Sequence, residues 1–244
     1  VLRRARYSWR WHTTALHSVL AHLTPALPPE APFFSLLSEA EAGFLSAATI
    51  AAHQAGITCQ GVALRPEEAQ IQLTWTLLDE KETKGTKDAQ TALQAGAKAY
   101  LNQRGEPAPY LAVLAAGLAA YTQNVPPAHE PDTTFQTLQT DIEEAISYRG
   151  GFLRLGASGK SRQSGFWWLQ NYQGDDLPLA DQAEMALVRY LLQNPGCEAE
   201  AIDQAVCAAL PGLMTPEQAL IQVCLDSYGS QNNSGDNTWH IRPE

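Results

Sequence analysis

Residues 69–78, AQIQLTWTLL, set Ile71, Leu73 and Trp75 in alternation with Gln70, Gln72 and Thr74. A period of two makes an extended strand with one dry and one wetter face, and a single strand cannot bury its dry face alone. Its neighbours must come from the apolar runs nearby. Ile57 to Leu64 reads as a second strand, reached through a turn at Pro66-Glu67-Glu68, and PFFSLLSE, residues 32–39, as a third. Between the last two lies a helix over 41–55, rich in Ala and Leu and closed by Gly56. Ahead of all of these, Trp9, Thr13, Leu16, Leu20 and Leu23 recur at spacings of three and four, which predicts a helix over 3–23 ended by Pro25. The order helix, strand, helix, strand, strand makes residues 1–78 an α/β part.

The charged run DEKETKGTK, residues 79–87, reads as a solvated linker, and 88–244 as a mainly helical domain. Helices are expected over 88–103, 108–123 and 134–148, with the proline-rich NVPPAHEPD before the last. Residues 152–169 read as a β-hairpin, Phe152–Leu155 pairing with Phe166–Leu169 across a polar loop. Helices over 180–193 and 198–209 each end at Pro-Gly, a third opens at Thr215-Pro216-Glu217-Gln218 with a capping box, and the strand 238–242 closes the chain. Three short helices and a strand behind a hairpin suggest a winged-helix-like unit over 178–244.

The hairpin loop contains Gly159-Lys160-Ser161, the ending of a phosphate-binding loop. That loop needs a glycine five positions before Gly159, where Arg154 stands, and a helix afterwards, where Phe-Trp-Trp-Leu stands instead. A nucleotide loop is therefore set aside. Cys59, Cys197, Cys207 and Cys224 form no Cys-x-x-Cys pair, and His12, His17 and His22 recur at steps of five that turn successive rings by about 140 degrees on a helix. Neither set has metal-ligand spacing; free thiols, with Cys207 and Cys224 on apolar helix faces, are expected. No Gly-x-Ser-x-Gly elbow occurs, and Asp141, Glu143 and Glu144 read as a wet helix face rather than as general acids.

Charge is unevenly spread. The net charge is −10, yet the first ten residues hold Arg3, Arg4, Arg6 and Arg10, interleaved with Tyr7 and Trp9, and the hairpin holds Arg154, Lys160 and Arg162. From Asn171 onward eleven Asp and Glu stand against two Arg, which repels phosphate backbones from that third. The seven basic residues are candidate nucleic-acid contacts; pairing with the acidic third is the competing role. No apolar run approaches the roughly 18 residues of a membrane span, and no signal peptide opens the chain, so a cytoplasmic protein without membrane contact is expected. The start at Val1, in mid-helix, is the beginning expected of a fragment.

The run FFSLLSEAEAGFLSAATIAAHQAGITCQGVALRPEEAQIQLTW resembles the closing end of a Rossmann-like methyltransferase sheet: strand, helix ending in Ala-Gly, strand, then the antiparallel last strand. Downstream, FWWL, LPLADQAEMALVRYLL, LPGLMTPEQALIQVCLDSYG and TWHIRPE resemble the C-terminal extension of large bacterial adenine-specific DNA methyltransferases. The resemblance implies a parent enzyme of restriction-modification type that uses S-adenosylmethionine. That enzyme would hold a flipped base with an Asn/Asp-Pro-Pro-Tyr/Phe motif. Here Pro28-Pro29 and Pro126-Pro127 lack the flanking amide and aromatic ring, and no glycine-bearing cofactor loop is present. No catalytic or cofactor residue is carried over.

This chain is thus expected to be the inactive tail of such an enzyme, binding no cofactor alone, completing a sheet supplied by an N-terminal catalytic portion and positioning DNA or a partner. The alternative is a non-enzymatic, acidic winged-helix module that docks another protein of a defence or regulatory complex through its C-terminal helices. A transcription regulator is disfavoured, because the third helix of the unit presents Glu217, Gln218, Gln222 and Asp226 where a reading helix presents cationic or amide side chains.

Overall fold

A computed structural model describes residues 8–28, 31–65, 69–78, 88–128, 131–231 and 238–242. Helix α1, Trp9–Leu23, begins where the Ser8 hydroxyl accepts the Trp11 N–H, so the expected start at residue 3 lies outside the described residues. Strand β1 (Phe33–Leu37), helix α2 (Ala42–Gln54), strand β2 (Ile57–Leu64) and strand β3 (Ile71–Leu77) follow in the expected order. The α2 helix stops because Gly56 turns the backbone to a φ of 78°.

The three strands form a sheet ordered β1-β3-β2 in which β3 is antiparallel to both neighbours. Hence β1 and β2 run parallel, with α2 as their crossover. Ile57, Cys59, Ile71, Leu73 and Trp75 are buried on one face; Phe34, Leu36 and Gln72 point out on the other. A bulge between Cys59 and Gly61 resets the β2 register.

Helix α3 (Ala89–Arg104), capped by Asp88 through the Thr91 N–H at 2.8 Å, packs against α4 (Tyr110–Asn124). The two helices approach closely through glycines: a Cβ on Gly96 would lie 2.6 Å from the Ala116 carbonyl oxygen, and one on Gly117 3.0 Å from that of Leu93. The helix expected from residue 108 starts at Tyr110, because Ala108–Pro109 is drawn out as β4 to pair with β6. Helix α5 spans Pro131–Ala145, three residues earlier than its periodicity suggests. The hairpin of β5 (Phe152–Leu155) and β6 (Phe166–Leu169) has the expected register, Phe152 opposite Leu169.

One buried cluster joins these parts, running from Leu37 in β1 through α2, the sheet, α3, α4 and α5 to Leu169. The segment 79–87, expected as a linker, lies outside the described residues, but packing is continuous between the elements that precede and follow it.

The last part comprises α6 (Leu179–Gln193), β7 (Cys197–Glu198), α7 (Ala199–Ala209), a 3-10 turn at Gly212–Met214, α8 (Gln218–Tyr228), β8 (Gly229–Gln231) and β9 (Thr238–Ile241). Its sheet is ordered β7-β9-β8, and its separate core is Leu187, Leu191, Ile202, Val206, Ile221 and Leu225. The two-residue β7 and three-residue β8 escape periodicity analysis because they are shorter than one alternating window. The capping box expected at Thr215 is not formed. Instead, α8 opens at Gln218 behind Glu217, which makes no side-chain cap, and Pro216 precedes the helix.

Candidate functional site

The basic hairpin residues divide by what they already bind. Arg154 donates through Nε to the Ser164 carbonyl at 3.0 Å and through Nη2 to the Gly159 carbonyl and the Ser164 hydroxyl, so its guanidinium stitches the loop to its own stem. Arg162 donates to the Ile146 and Glu143 carbonyls, both at 3.0 Å, and thereby closes the C-terminal end of α5. Lys160 is exposed and makes no hydrogen bond or ion pair among the described residues. Arg10 is exposed on α1, away from the hairpin in sequence; Arg3, Arg4 and Arg6 lie outside the described residues.

Sequence reasoning missed Tyr148 and Arg149, in the turn between α5 and β5. Tyr148 is 74% exposed and Arg149 is exposed, and neither side chain has a hydrogen bond or ion pair among the described residues. The signal was available as an absence of acid: residues 145–174 contain Arg149, Arg154, Lys160 and Arg162 and no Asp or Glu. With −10 for the whole chain and +4 for that window, the remainder carries −14.

The turn adjoins a polar groove of about 540 Å³ between α3 and α5, lined by Gln94, Glu143, Glu144, Ser147, Arg149 and Arg162. Two carboxylates and two guanidiniums give the groove no net formal charge. Asp141, on the same helix, is half-buried; burial first, then Glu144 and Asp88, raise its carboxyl above the ordinary carboxylate range.

A second cavity, about 470 Å³, opens where the N-termini of α4, α6 and α8 meet the end of α3. Its polar wall includes Thr215 and Glu217 and a bonded group around Arg104. The Tyr100 hydroxyl accepts from Arg104 Nη1 at 3.0 Å, and Arg104 Nη2 donates to Glu106 at 2.9 Å. The other Glu106 oxygen accepts the Ala180 N–H at 3.3 Å, capping α6 where its own N-cap residue, Pro178, cannot. Burial raises the Tyr100 phenol against the pull of Arg104, so the hydroxyl stays protonated. The Arg104–Glu106 pair ties α3 to α6; among the described residues no nucleophile-base pair is formed there.

Among the described residues no three His, Cys, Asp or Glu side chains converge on a metal position, and the four cysteines are free. Burial pushes the Cys59 thiol up to about 12, and burial likewise raises Cys197, Cys207 and Cys224, which keeps all four in the unreactive thiol form. Trp167 is buried with its Nε1 donating to the Arg162 carbonyl at 3.0 Å, while the half-buried Trp168 ring packs on that of Tyr172, with centroids 4.7 Å apart.

The two edges of the first sheet differ. At the β2 edge, the Cys59 N–H donates to the Thr122 hydroxyl at 3.0 Å and the Cys59 carbonyl accepts from Gln123 Nε2 at 2.7 Å, so α4 side chains occupy that edge at the bulge. Among the described residues no side chain does the same for β1, whose Phe34 is 75% and Leu36 56% exposed. Among the described residues no helix is long and apolar enough to cross a membrane. Compared with protein-family models, curated proteins and solved structures, the chain matches none of them significantly.

Proposed function

We propose that the chain is the C-terminal portion of a Rossmann-like, S-adenosylmethionine-dependent DNA methyltransferase: it completes the catalytic sheet and adds a DNA-positioning or partner-binding module, without catalytic residues of its own. The observation that carries this reading is the first sheet. Two parallel strands joined by a helix, with an antiparallel strand inserted between them, form one end of a larger doubly wound sheet more readily than a free-standing one. The protected β2 edge and the unprotected, apolar β1 edge give that end a direction: further strands add beside β1.

A second reading rests on the C-terminal unit. Its order of helix, strand, helix, helix, strand, strand, with β9 central, fits a winged helix. Yet α8 carries no Lys or Arg and exposes Gln222, Val223 and Asp226, which suits docking to a protein of a defence or regulatory complex better than entry into a DNA groove.

Two measurements test the first reading. The DNA immediately upstream is expected to encode, in frame, the glycine-bearing cofactor loop and the Pro-Pro motif; a stop codon or an unrelated gene there overturns it. The joined polypeptide is expected to transfer methyl groups from S-adenosylmethionine to DNA, and the Phe34→Glu, Leu36→Glu double variant to lose that transfer. Unchanged transfer in the double variant overturns the role of β1.

A further inference from the structure

We infer that Tyr148, Arg149 and Lys160 form a binding face for an unpaired stretch of nucleic acid, with Tyr148 as the stacking platform and the two cations on the phosphates. The inference rests on the DNA-positioning part of the proposed function and specifies which residues serve it.

The placement follows from bonds already described. Arg162 fastens the hairpin loop to the Ile146 and Glu143 carbonyls and lines the same groove as Tyr148 and Arg149; Lys160 is two residues from it in that loop. The turn holding Tyr148 and Arg149 is itself fixed. The Tyr148 carbonyl accepts from the Gly151 N–H and from Gln170 Nε2, and the Gly150 carbonyl accepts from Gln94 Nε2 at 2.7 Å. An aromatic ring on a rigid turn stacks on a base with little ordering cost.

Charge selects the partner and the approach. The window 145–174 carries +4 against −14 for the remaining chain, so the hairpin is, with the first ten residues, one of the two basic stretches a polyanion would favour. Of the four cations in the window, Arg154 and Arg162 spend their donors on backbone carbonyls and a hydroxyl, which leaves Arg149 and Lys160 for phosphates. An exposed ring favours an unpaired strand over a duplex, whose bases are stacked on one another and whose backbone offers only phosphates. Glu143 and Glu144 line the groove beside Tyr148 and Arg149, which disfavours a phosphate strand inside it.

The test is fluorescence anisotropy of the full chain with a labelled oligothymidylate of about 20 nucleotides, titrated at several salt concentrations between about 50 and 200 mM. Tyr148→Ala is expected to weaken binding about tenfold, which is the loss of one stacked base. Arg149→Ala and Lys160→Ala are each expected to reduce the slope of log affinity against log salt by about 0.7. Arg154→Ala is expected to leave that slope unchanged while lowering the melting temperature, because its donors are internal.

Three results overturn the inference: no binding, equal or tighter binding of the matching duplex, or affinities that the Tyr148 and Arg149 variants leave unchanged. Displacement of the oligonucleotide by an equal charge of polyglutamate also overturns it, in favour of an acidic protein partner. Sheet completion is judged separately, by methyl transfer in the joined polypeptide, so either conclusion can fail alone.

Discussion

Arg65, at the end of β2, donates through Nη2 to Asp203 Oδ1 at 2.6 Å and to Cys207 Sγ at 3.2 Å, reaching from the first sheet to α7. Both side chains are mostly shielded, at 16% and 28% exposure, so removing one partner strands the other in a poorly solvated position. Arg65→Ala and Asp203→Ala are each expected to cost about 1–2 kcal/mol, less than a fully buried pair because a fifth or so of each side chain still meets water. A double-mutant cycle by urea unfolding checks the pair, and the interaction vanishes from the cycle if the contact is not formed in solution.

His53 supplies a pH dependence. It is fully buried on α2 with neither ring nitrogen hydrogen-bonded among the described residues, and the Tyr121 ring meets it edge-on at 5.0 Å. Burial lowers its pKa from 6.5 to about 4; the Val125 and Pro126 carbonyls pull the other way without forming a well-aligned bond. The unfolded ring therefore takes up a proton before the folded one does. Its contribution is complete above pH 6.5 and declines as pH falls toward 4, by up to about 3 kcal/mol. His53→Leu removes this component, so wild-type stability relative to the variant should fall by up to about 3 kcal/mol from pH 7 to 4. A constant difference across that range refutes the burial argument.

Thr122 holds the β2 bulge. Its hydroxyl accepts the Cys59 N–H at 3.0 Å and donates to the Ala119 carbonyl at 2.9 Å, fully out of water. Thr122→Val keeps the shape and leaves the Cys59 N–H without its acceptor, a loss of about 1–3 kcal/mol. Thr122→Ser, which keeps the hydroxyl, is expected to cost clearly less. Chemical denaturation of both variants decides the point, and a Thr122→Val variant that loses no more than Thr122→Ser would show that the hydroxyl does not carry the effect.

The α3–α4 contact tolerates no added carbon at Gly96, since a Cβ would press on the Ala116 carbonyl oxygen at 2.6 Å. Backbone cannot move aside as a flexible side chain can, so Gly96→Ala is expected to destabilise by about 1–3 kcal/mol despite the better helix propensity of alanine. Thermal unfolding measures it; a stabilised variant would mean the helices are farther apart in solution.

The long periodic elements were legible in the sequence because the signals that mark them are local. Strand β2 spans the expected residues, the hairpin pairs Phe152 with Leu169, and the starts of α2, α3 and α6 fall within a residue or two of expectation. What escaped detection depends on distant partners. Ala108–Pro109 is extended only because Trp167 and Phe166 pair with it, and α8 starts late because Glu217 and Pro216 are used differently from a capping box. At the hairpin, the sequence marks positive charge but cannot distinguish an arginine that closes a helix from one that faces solvent. Arg162 and Arg149 differ only in the carbonyls the fold brings to the first.

Strand β1 also governs how a purified sample would behave. Its two bulky outward residues and unclaimed backbone offer each molecule a seat for the same strand of another, with no charge, proline or bulge in Phe33–Leu37 to discourage stacking. Turbidity that grows with concentration would then report on five residues, whatever the strength of the interior.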